Sequence, residues 1–277
     1  MSRRPHRIAL IAGSAALAGA LGTATAAIGQ ATPPHSQGPS KASTAGWFKT
    51  YRVDLGTTPR GNHVYSYRIA KNPGKPNVLI IGTMHGDEPA GRHVGYALIR
   101  AVQNKRFTIR GVNLWVVPAM NPDGYLAHTR QNAHHVDLNR NFPYEWVPLS
   151  GATYSGPRAS SEVETRFMET LLRNKSPRFV VSMHQPLNSV DSDNKSPDLA
   201  DRLHRYLHLP MSNLNCGGKC HGTMTGWYNH RFAGAAITIE FSSGAVVGDQ
   251  ALRYGKRIVF AELGQTCTSS GQCQSAP

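Results

Sequence analysis

Four side chains in this sequence have the types and spacing to hold a metal ion and use it. His85 and Glu88 stand three apart in Thr83-Met84-His85-Gly86-Asp87-Glu88, directly after the apolar run Asn77–Gly82 (NVLIIG). A buried strand ending in H-x-x-E puts an imidazole and a carboxylate on one tight turn. Both are good zinc ligands, and a catalytic zinc takes three protein ligands and leaves a fourth position open. The third should come from another strand end, and Val180-Val181-Ser182-Met183 leads straight to His184. Glu240 lies near the end of a further apolar run, Ala235–Phe241 (AAITIEF). A carboxylate in that setting implies a salt bridge or a catalytic task. Taken singly each has a plain alternative: H-x-x-E is a weak pattern, and a lone strand histidine is ordinarily a hydrogen-bonded core residue.

The segment between these residues changes the balance. Asn121-Pro122-Asp123-Gly124 is followed by Arg130 and then by Asp137-Leu138-Asn139-Arg140-Asn141-Phe142-Pro143. Polar residues this dense beside buried strands are costly unless they serve a ligand. Asp87 and Asp123 read as turn formers, because Asp bonds readily to nearby backbone. His134, His135, His221 and His230 read as loop or surface residues.

In this order, H-x-x-E, N-P-D-G, D-L-N-R-N-F, a strand-end His and a strand Glu make the chain resemble the zinc carboxypeptidase family, from about Asn77 to Gly244. The stretch from Arg130 through Pro143 is most similar to the family's compact bacterial branch of murein peptide amidases. The resemblance implies a three-layer α/β/α sandwich around a mostly parallel mixed sheet. It implies one Zn2+ per chain, held by His85, Glu88 and His184, with Asp137 orienting His85. Arg130 is then the group that polarises the scissile carbonyl, and Asn139 with Arg140 grips the substrate's terminal carboxylate. Glu240 is the general base that takes a proton from water and passes it to the leaving amine. One feature departs from the family. Aligning on Trp227-Tyr228-Asn229 leaves no tyrosine where the family places one over the substrate, since Tyr228 is too near Glu240. The same alignment sets Thr225 at the base of the side-chain pocket, with no acid there.

Alternating strand and helix patterns must position these groups. Strands are expected at Tyr51–Leu55, His63–Ile69, Asn77–Gly82, Asn113–Val117, Arg178–Ser182 and Ala235–Phe241. Helical stripes run over Pro89–Gln103, the stretch after Ser161, Pro197–His208 and Asp249–Leu263, and Ser161 with Glu164 forms a capping box. Such alternation argues for an α/β fold around a mostly parallel sheet, whose ligands gather beyond the carboxyl ends of the strands.

Composition sets the frame. The 277 residues, 40% hydrophobic and 17% charged, are those of a globular chain with a real core. Arg3, Arg4 and Arg7, an apolar run Ile8–Leu21 and Ala24-Thr25-Ala26 read as an export signal over residues 1–27. A retained anchor is the alternative, although the run is shorter than the roughly 20 residues of a spanning helix. Residues 28–46 form a Ser/Thr/Pro/Gly linker, order begins at Trp47, residues 47–265 form the catalytic domain, and 266–277 form a tail with a cysteine pair. Export favours disulfides among the four cysteines. Short loops favour Cys216–Cys220 and Cys267–Cys273, and a cysteine zinc site fits less well. Signal removal takes away three arginines and no acid, lowering the charge from +14 to +11. This basic balance suits an anionic cell wall or acidic peptides, or it is plain solvation. No Lys/Arg stripe interleaved with aromatics points to nucleic acid. The expectation is a secreted monomer acting on peptides, cell-wall peptides among them, with no membrane insertion once the signal is cut. Two competing readings are an N-acyl amino acid deacylase, which shares the zinc ligands and D-L-N-R, and an inert wall-binding module. The export signal and N-P-D-G argue against the first, and the complete ligand set argues against the second.

Overall fold

The structure, a computed structural model, describes residues 50–218, 220–267 and 273–275, the final two strands by their backbone alone. The signal, the linker and the start of order at Trp47 lie outside the described residues, as does Lys219. A hairpin, β1 (Tyr51–Thr57) and β2 (His63–Arg68), precedes alternating elements. These are β3 (Asn77–Ile81), α1 (Ala90–Gln103), β4 (Asn113–Val117), α2 (Pro122–Ala127), α3 (Val163–Lys175), β5 (Phe179–His184) and β6 (Leu187–Asp191). There follow α4 (Pro197–Leu207), β7 (Met211–Ser212), α5 (Met224–Arg231), β8 (Ala235–Ser242), α6 (Gly248–Leu263), β9 (Gln265–Cys267) and β10 (Cys273–Ser275).

Eight strands form one mixed sheet in the order β1-β2-β4-β3-β5-β8-β6-β7. Its centre, β4-β3-β5-β8, is parallel, while β1–β2, β2–β4 and β6–β8 pair antiparallel. The central strands are apolar on both sides because both faces are covered. Val78, Ile80, Val181 and Ile237 face a layer made by α1, α4 and α6, with Leu98, Leu203 and Ile258 packed there. Leu79, Ile81 and Val180 face a layer made by α3 and α5, with Leu172, Trp227 and Tyr228. Full burial of each such side chain stabilises by about 1.5–3 kcal/mol. This is the expected α/β/α sandwich.

Several local expectations needed correction. Ser161 and Glu164 form no capping box. The N-cap of α3 is Glu162, without a side-chain cap bond. The Ser161 hydroxyl donates instead to Glu162 Oε1 at 2.7 Å, and Glu164 turns inward to Asn132 Nδ2 at 3.3 Å. Asn121-Pro122-Asp123-Gly124 is a helix start, not a free turn. Asn121 Oδ1 accepts from Gly124 N at 2.8 Å and Pro122 takes the first helical position. Asp123 is buried and accepts from Thr58 Oγ1 and Asn62 Nδ2, each at 2.7 Å, so it fastens the β1–β2 connection to this helix. Cys216 and Cys220 form a disulfide with Cα atoms 5.1 Å apart. Cys267 and Cys273 face each other in the β9–β10 ladder, and their sulfurs fall outside the described atoms. Among the described residues no helix is long and apolar enough to cross a membrane.

Candidate metal centre and active site

The carboxyl ends of three adjacent central strands meet at one place. β3 runs into His85 and Glu88, and β5 ends on His184. The parallel register of β5 and β8 sets His184 directly beside Glu240. The turn after β3 keeps its shape through close backbone approach. A Cβ on Gly86 would come within 2.0 Å of the Gly124 carbonyl carbon, and Gly86 N donates to Arg130 O at 3.2 Å. The two loops that the sequence singled out, H-x-x-E and N-P-D-G, are therefore packed against each other.

His85, Glu88 and His184 are all buried, and their ligand atoms lie within 4.8 Å of one another. His85 Nδ1 is 3.2 Å from His184 Nδ1, 2.8 Å from Glu88 Oε1 and 3.2 Å from Arg130 Nη1. His184 Nδ1 is 2.9 Å from Glu88 Oε2. The outer nitrogens are engaged elsewhere: His85 Nε2 on Asp137 Oδ1 at 3.1 Å, and His184 Nε2 on Ser182 Oγ at 2.9 Å. Both rings thus turn their Nδ1 atoms toward one point. Two nitrogens bound tetrahedrally at 2.0–2.1 Å from one zinc would be about 3.3–3.4 Å apart. The observed spacing and the two-His, one-carboxylate donor set fit that ion.

Charge at the site agrees. Burial disfavours the ionised forms of Glu88 and Asp137, but contact with His85, joined by His184 for Glu88, outweighs it and holds both well below the usual carboxylate range. Burial lowers His85, yet Glu88 and Asp137 override it and push the imidazole up to about 9. Two buried carboxylates that stay ionised call for positive charge between them. Asp137 caps the 3-10 turn Leu138–Arg140, and its Oδ2 accepts from Arg130 Nε at 3.1 Å and Nη2 at 2.8 Å. That grip leaves Arg130 Nη1 facing the cluster, 3.5 Å from Glu88 Oε1. The Glu240 carboxylate is raised, first by burial and further by Glu88, and it accepts weakly from Leu187 N at 3.4 Å.

A cleft of about 300 Å³ opens over these groups, and Arg130, Asn139, Arg140, Thr225 and Glu240 all line it. Asn139 Oδ1 accepts from Met224 N at 3.0 Å, tying the cleft to the start of α5. Arg140 is buried; its Nη1 donates to Asn139 O at 2.7 Å and its Nε has no partner. Burial lowers its pKa, against the pull of Asp137. Tyr228 is fully buried and donates to Pro177 O, so it is a core residue, and no tyrosine lines the cleft among the described residues. His134 is more than half exposed but holds Glu162 at 2.8 Å, and His230 stacks on Tyr144.

Sequence reading missed one feature of this cleft. Asp191, at the end of β6, lines it, as does the Cys216–Cys220 disulfide. Thr225 also lines the cleft, as expected, and Asp191 adds an acid that the sequence did not point to. β6 is short and pairs antiparallel to β8 through a long-range contact that local periodicity does not reveal. A wider basin of about 660 Å³ lies at the opposite ends of the strands, among Lys75, Arg178, Lys195 and Arg202, and none of His85, Glu88 and His184 lines it.

A sequence profile described as zinc carboxypeptidase matches residues 49–190. The chain is 31% identical to the murein peptide amidase A of Vibrio campbellii over 176 residues, covering 58% of this chain and 68% of that protein. It is 32% identical to carboxypeptidase SOL1 of Arabidopsis thaliana over 107 residues, covering 35% of this chain but only 22% of that protein. Among solved structures, the murein-tripeptide amidase of Escherichia coli O157 superposes with a TM-score of 0.60 at 24% identity, over 80% of this chain and 94% of that one. This chain belongs to the zinc carboxypeptidase family.

Proposed function

We propose that the protein is a secreted zinc metallopeptidase that hydrolyses an amide bond next to a residue bearing a free carboxylate, in short peptidoglycan peptides of the γ-D-glutamyl-diaminopimelate type. The observation that carries this reading is Arg140, a buried guanidinium with an unpartnered Nε and no carboxylate within 4.0 Å among the described residues, lining the cleft above the His85–Glu88–His184 cluster. A guanidinium lining a cleft suits a substrate carboxylate, which it can hold in bidentate form.

His85, Glu88 and His184 would hold one Zn2+, which when bound supplies Lewis acidity to a carbonyl and to water. Asp137 keeps the His85 ring aligned through Nε2. Glu240 takes a proton from the attacking water and delivers it to the leaving nitrogen as the C–N bond breaks, a role suited to a carboxylate whose pKa burial has raised. Arg130, with Nη1 directed at the cluster, donates to the developing oxyanion. Asn139 and Arg140 hold the carboxylate of the departing residue. The absence of a covering tyrosine among the described lining residues suits a branched substrate containing D-residues. Similarity to a murein peptide amidase favours the same chemistry. The Cys216–Cys220 disulfide agrees with an oxidising compartment, and the basic balance with retention near an anionic wall.

The test compares kcat/KM on L-Ala-γ-D-Glu-diaminopimelate with that on blocked dipeptides ending in Phe, Leu, Lys or Arg. The wall peptide is expected to be preferred by at least tenfold, about 1.4 kcal/mol. Glu240→Gln serves as the blank, with zinc retained and kcat lowered by roughly 10²–10⁴. Dipeptides preferred by tenfold would make this a conventional carboxypeptidase. Turnover of acyl-amino acids alone would make it a deacylase.

A further inference from the structure

The basin at the far end of the sheet has a charge pattern that the proposed hydrolysis does not use. β3, β5 and β8 are parallel neighbours, so their first residues, Asn77, Phe179 and Ala235, come together and line this cavity of about 660 Å³. Five strand steps separate Phe179 from His184, about 16–17 Å of sheet. A group seated in the basin is therefore clear of the metal cluster.

Four cations and one acid line it: Lys75, Arg178, Lys195 and Arg202 against Asp198. Two of the cations are fixed by the fold. Arg202 Nε donates to Ala261 O at 2.7 Å, and Lys195 Nζ donates to Asn229 O at 3.1 Å and to Phe232 O. Arg178 and Arg202 both stand over the Phe179 ring, 5.0 and 5.8 Å from its centroid, so one aromatic platform gathers two like charges. Burial lowers the Arg202 pKa; Asp198 pulls it back and Arg178 lowers it further. None of the four cations has a carboxylate oxygen within 4.0 Å among the described residues. Ser196, the N-cap of α4, also lines the basin, and its side chain makes no cap bond. The positive end of that helix adds to the same field.

A concave surface of one sign focuses its field and concentrates ions of the other sign. Four cations less one acid exceed what a single carboxylate neutralises. Phosphate groups suit the basin better. A guanidinium takes two phosphate oxygens in parallel, a lysine meets them as a point charge, and successive phosphodiesters along a chain bring several charges into one cavity.

We propose that this basin is a docking site for an anionic cell-wall polymer of phosphodiester-linked units, which holds the protein at the wall with its cleft turned away from the polymer. The choice of the wall as source rests on the reading of the protein as secreted, whereas the site itself needs no hydrolysis.

Calorimetric titration of the zinc-loaded protein with a synthetic glycerol phosphate polymer tests it, alongside monomeric glycerol phosphate, poly-L-glutamate and anionic phospholipid vesicles. The phosphodiester polymer is expected to bind at least tenfold more tightly than any of the other three, and more weakly as salt is raised. Lys75→Gln combined with Arg178→Gln removes two exposed cations of the basin and should cost at least tenfold in affinity. Arg60→Gln combined with Arg253→Gln removes the same charge from exposed positions outside it and should cost less than threefold. Equal losses in the two variants would reduce the attraction to net charge and overturn the site, as would no binding at all. Polyglutamate bound as well as the polymer would overturn the phosphate assignment. Monomer bound as tightly would make this a site for a free phosphate ester, and preference for vesicles a lipid-facing surface; either overturns the polymer. Turnover of L-Ala-γ-D-Glu-diaminopimelate is read separately and should stay within about twofold when the polymer is bound. Its loss on binding would overturn the placement of the cleft away from the polymer. A protein that binds the polymer yet cleaves no peptide, with or without it, refutes the proposed reaction and leaves the docking site standing.

Discussion

At the residue scale, the site is built from polar groups that are each costly alone and stable together. Glu88 and Asp137 remain ionised in the interior because His85, His184 and Arg130 surround them. Glu164 is the contrasting case. It is buried in the first turn of α3, Asn132 reaches one of its oxygens at 3.3 Å, and Oε1 has no partner. Burial, reinforced by Glu162 and Asp123, pushes its carboxyl up to about 7 from an ordinary value of 4.5. The folded chain therefore binds a proton that the unfolded chain has already lost between those two values. Stability falls as pH rises from about 4.5 to about 7 and then levels off. Glu164→Gln removes this ionisation and keeps the acceptor. Urea unfolding should find the variant more stable by ~2–3 kcal/mol at pH 8 and nearly equal to the parent at pH 4. A gain of the same size at both pH values would show that the carboxyl is not the cause.

At the scale of elements, three packed units decide where chemistry occurs. The β5–β8 register sets a ligand, His184, beside the base, Glu240. The capped start of α2 lies under the H-x-x-E turn, with Gly86 and Gly124 in backbone contact. A methyl group at Gly86 has nowhere to go, since its nearest neighbours are backbone atoms at 2.0–2.4 Å. Overpacking of this kind costs about 1–3 kcal/mol. Here the strain falls on the segment between two metal ligands. Gly86→Ala is expected to lower stability by that amount and zinc affinity by at least tenfold, measured by chelator competition. A variant that bound zinc as the parent does would show that the turn tolerates displacement without moving His85 or Glu88.

At the scale of the whole molecule, the metal joins residues from distant parts of the chain. His85 and Glu88 follow β3, and His184 ends β5, 96 to 99 positions further on. An ion that binds only the folded state stabilises it by about 4 kcal/mol at a thousandfold excess over Kd. For a chain of this size, stripping the zinc with a chelator should lower Tm by roughly 8–16 °C, reversed on readdition. An unchanged Tm would show that the three ligands do not share an ion. The proposed monomeric state calls for a melting temperature independent of protein concentration in the same scans.

Much of this protein is legible in its sequence for a physical reason. Buried parallel strands read as continuous apolar runs, and a polar residue at the end of such a run has few explanations other than a ligand or a base. That logic marks His85, Glu88, His184 and Glu240 as candidates, and the dense polar stretch around Arg130, Asp137, Asn139 and Arg140, with the order of the motifs, carries the resemblance to the zinc carboxypeptidase family that gives each its expected role. The helices over Ala90–Gln103, Pro197–Leu207 and Gly248–Leu263 follow from their apolar stripes. Tertiary structure alone decided the rest. Whether Ser161 caps α3 depended on competition from Glu162, and Asp123 became a buried anchor only when the β1–β2 connection closed over it. Asp191 belongs to a strand of five residues whose partner, β8, is about fifty positions away. The local pattern marks it as a polar residue near a turn. The pairing of β6 on β8 turns it into an acid that lines the cleft, because strand register is a long-range property that no short window of sequence contains.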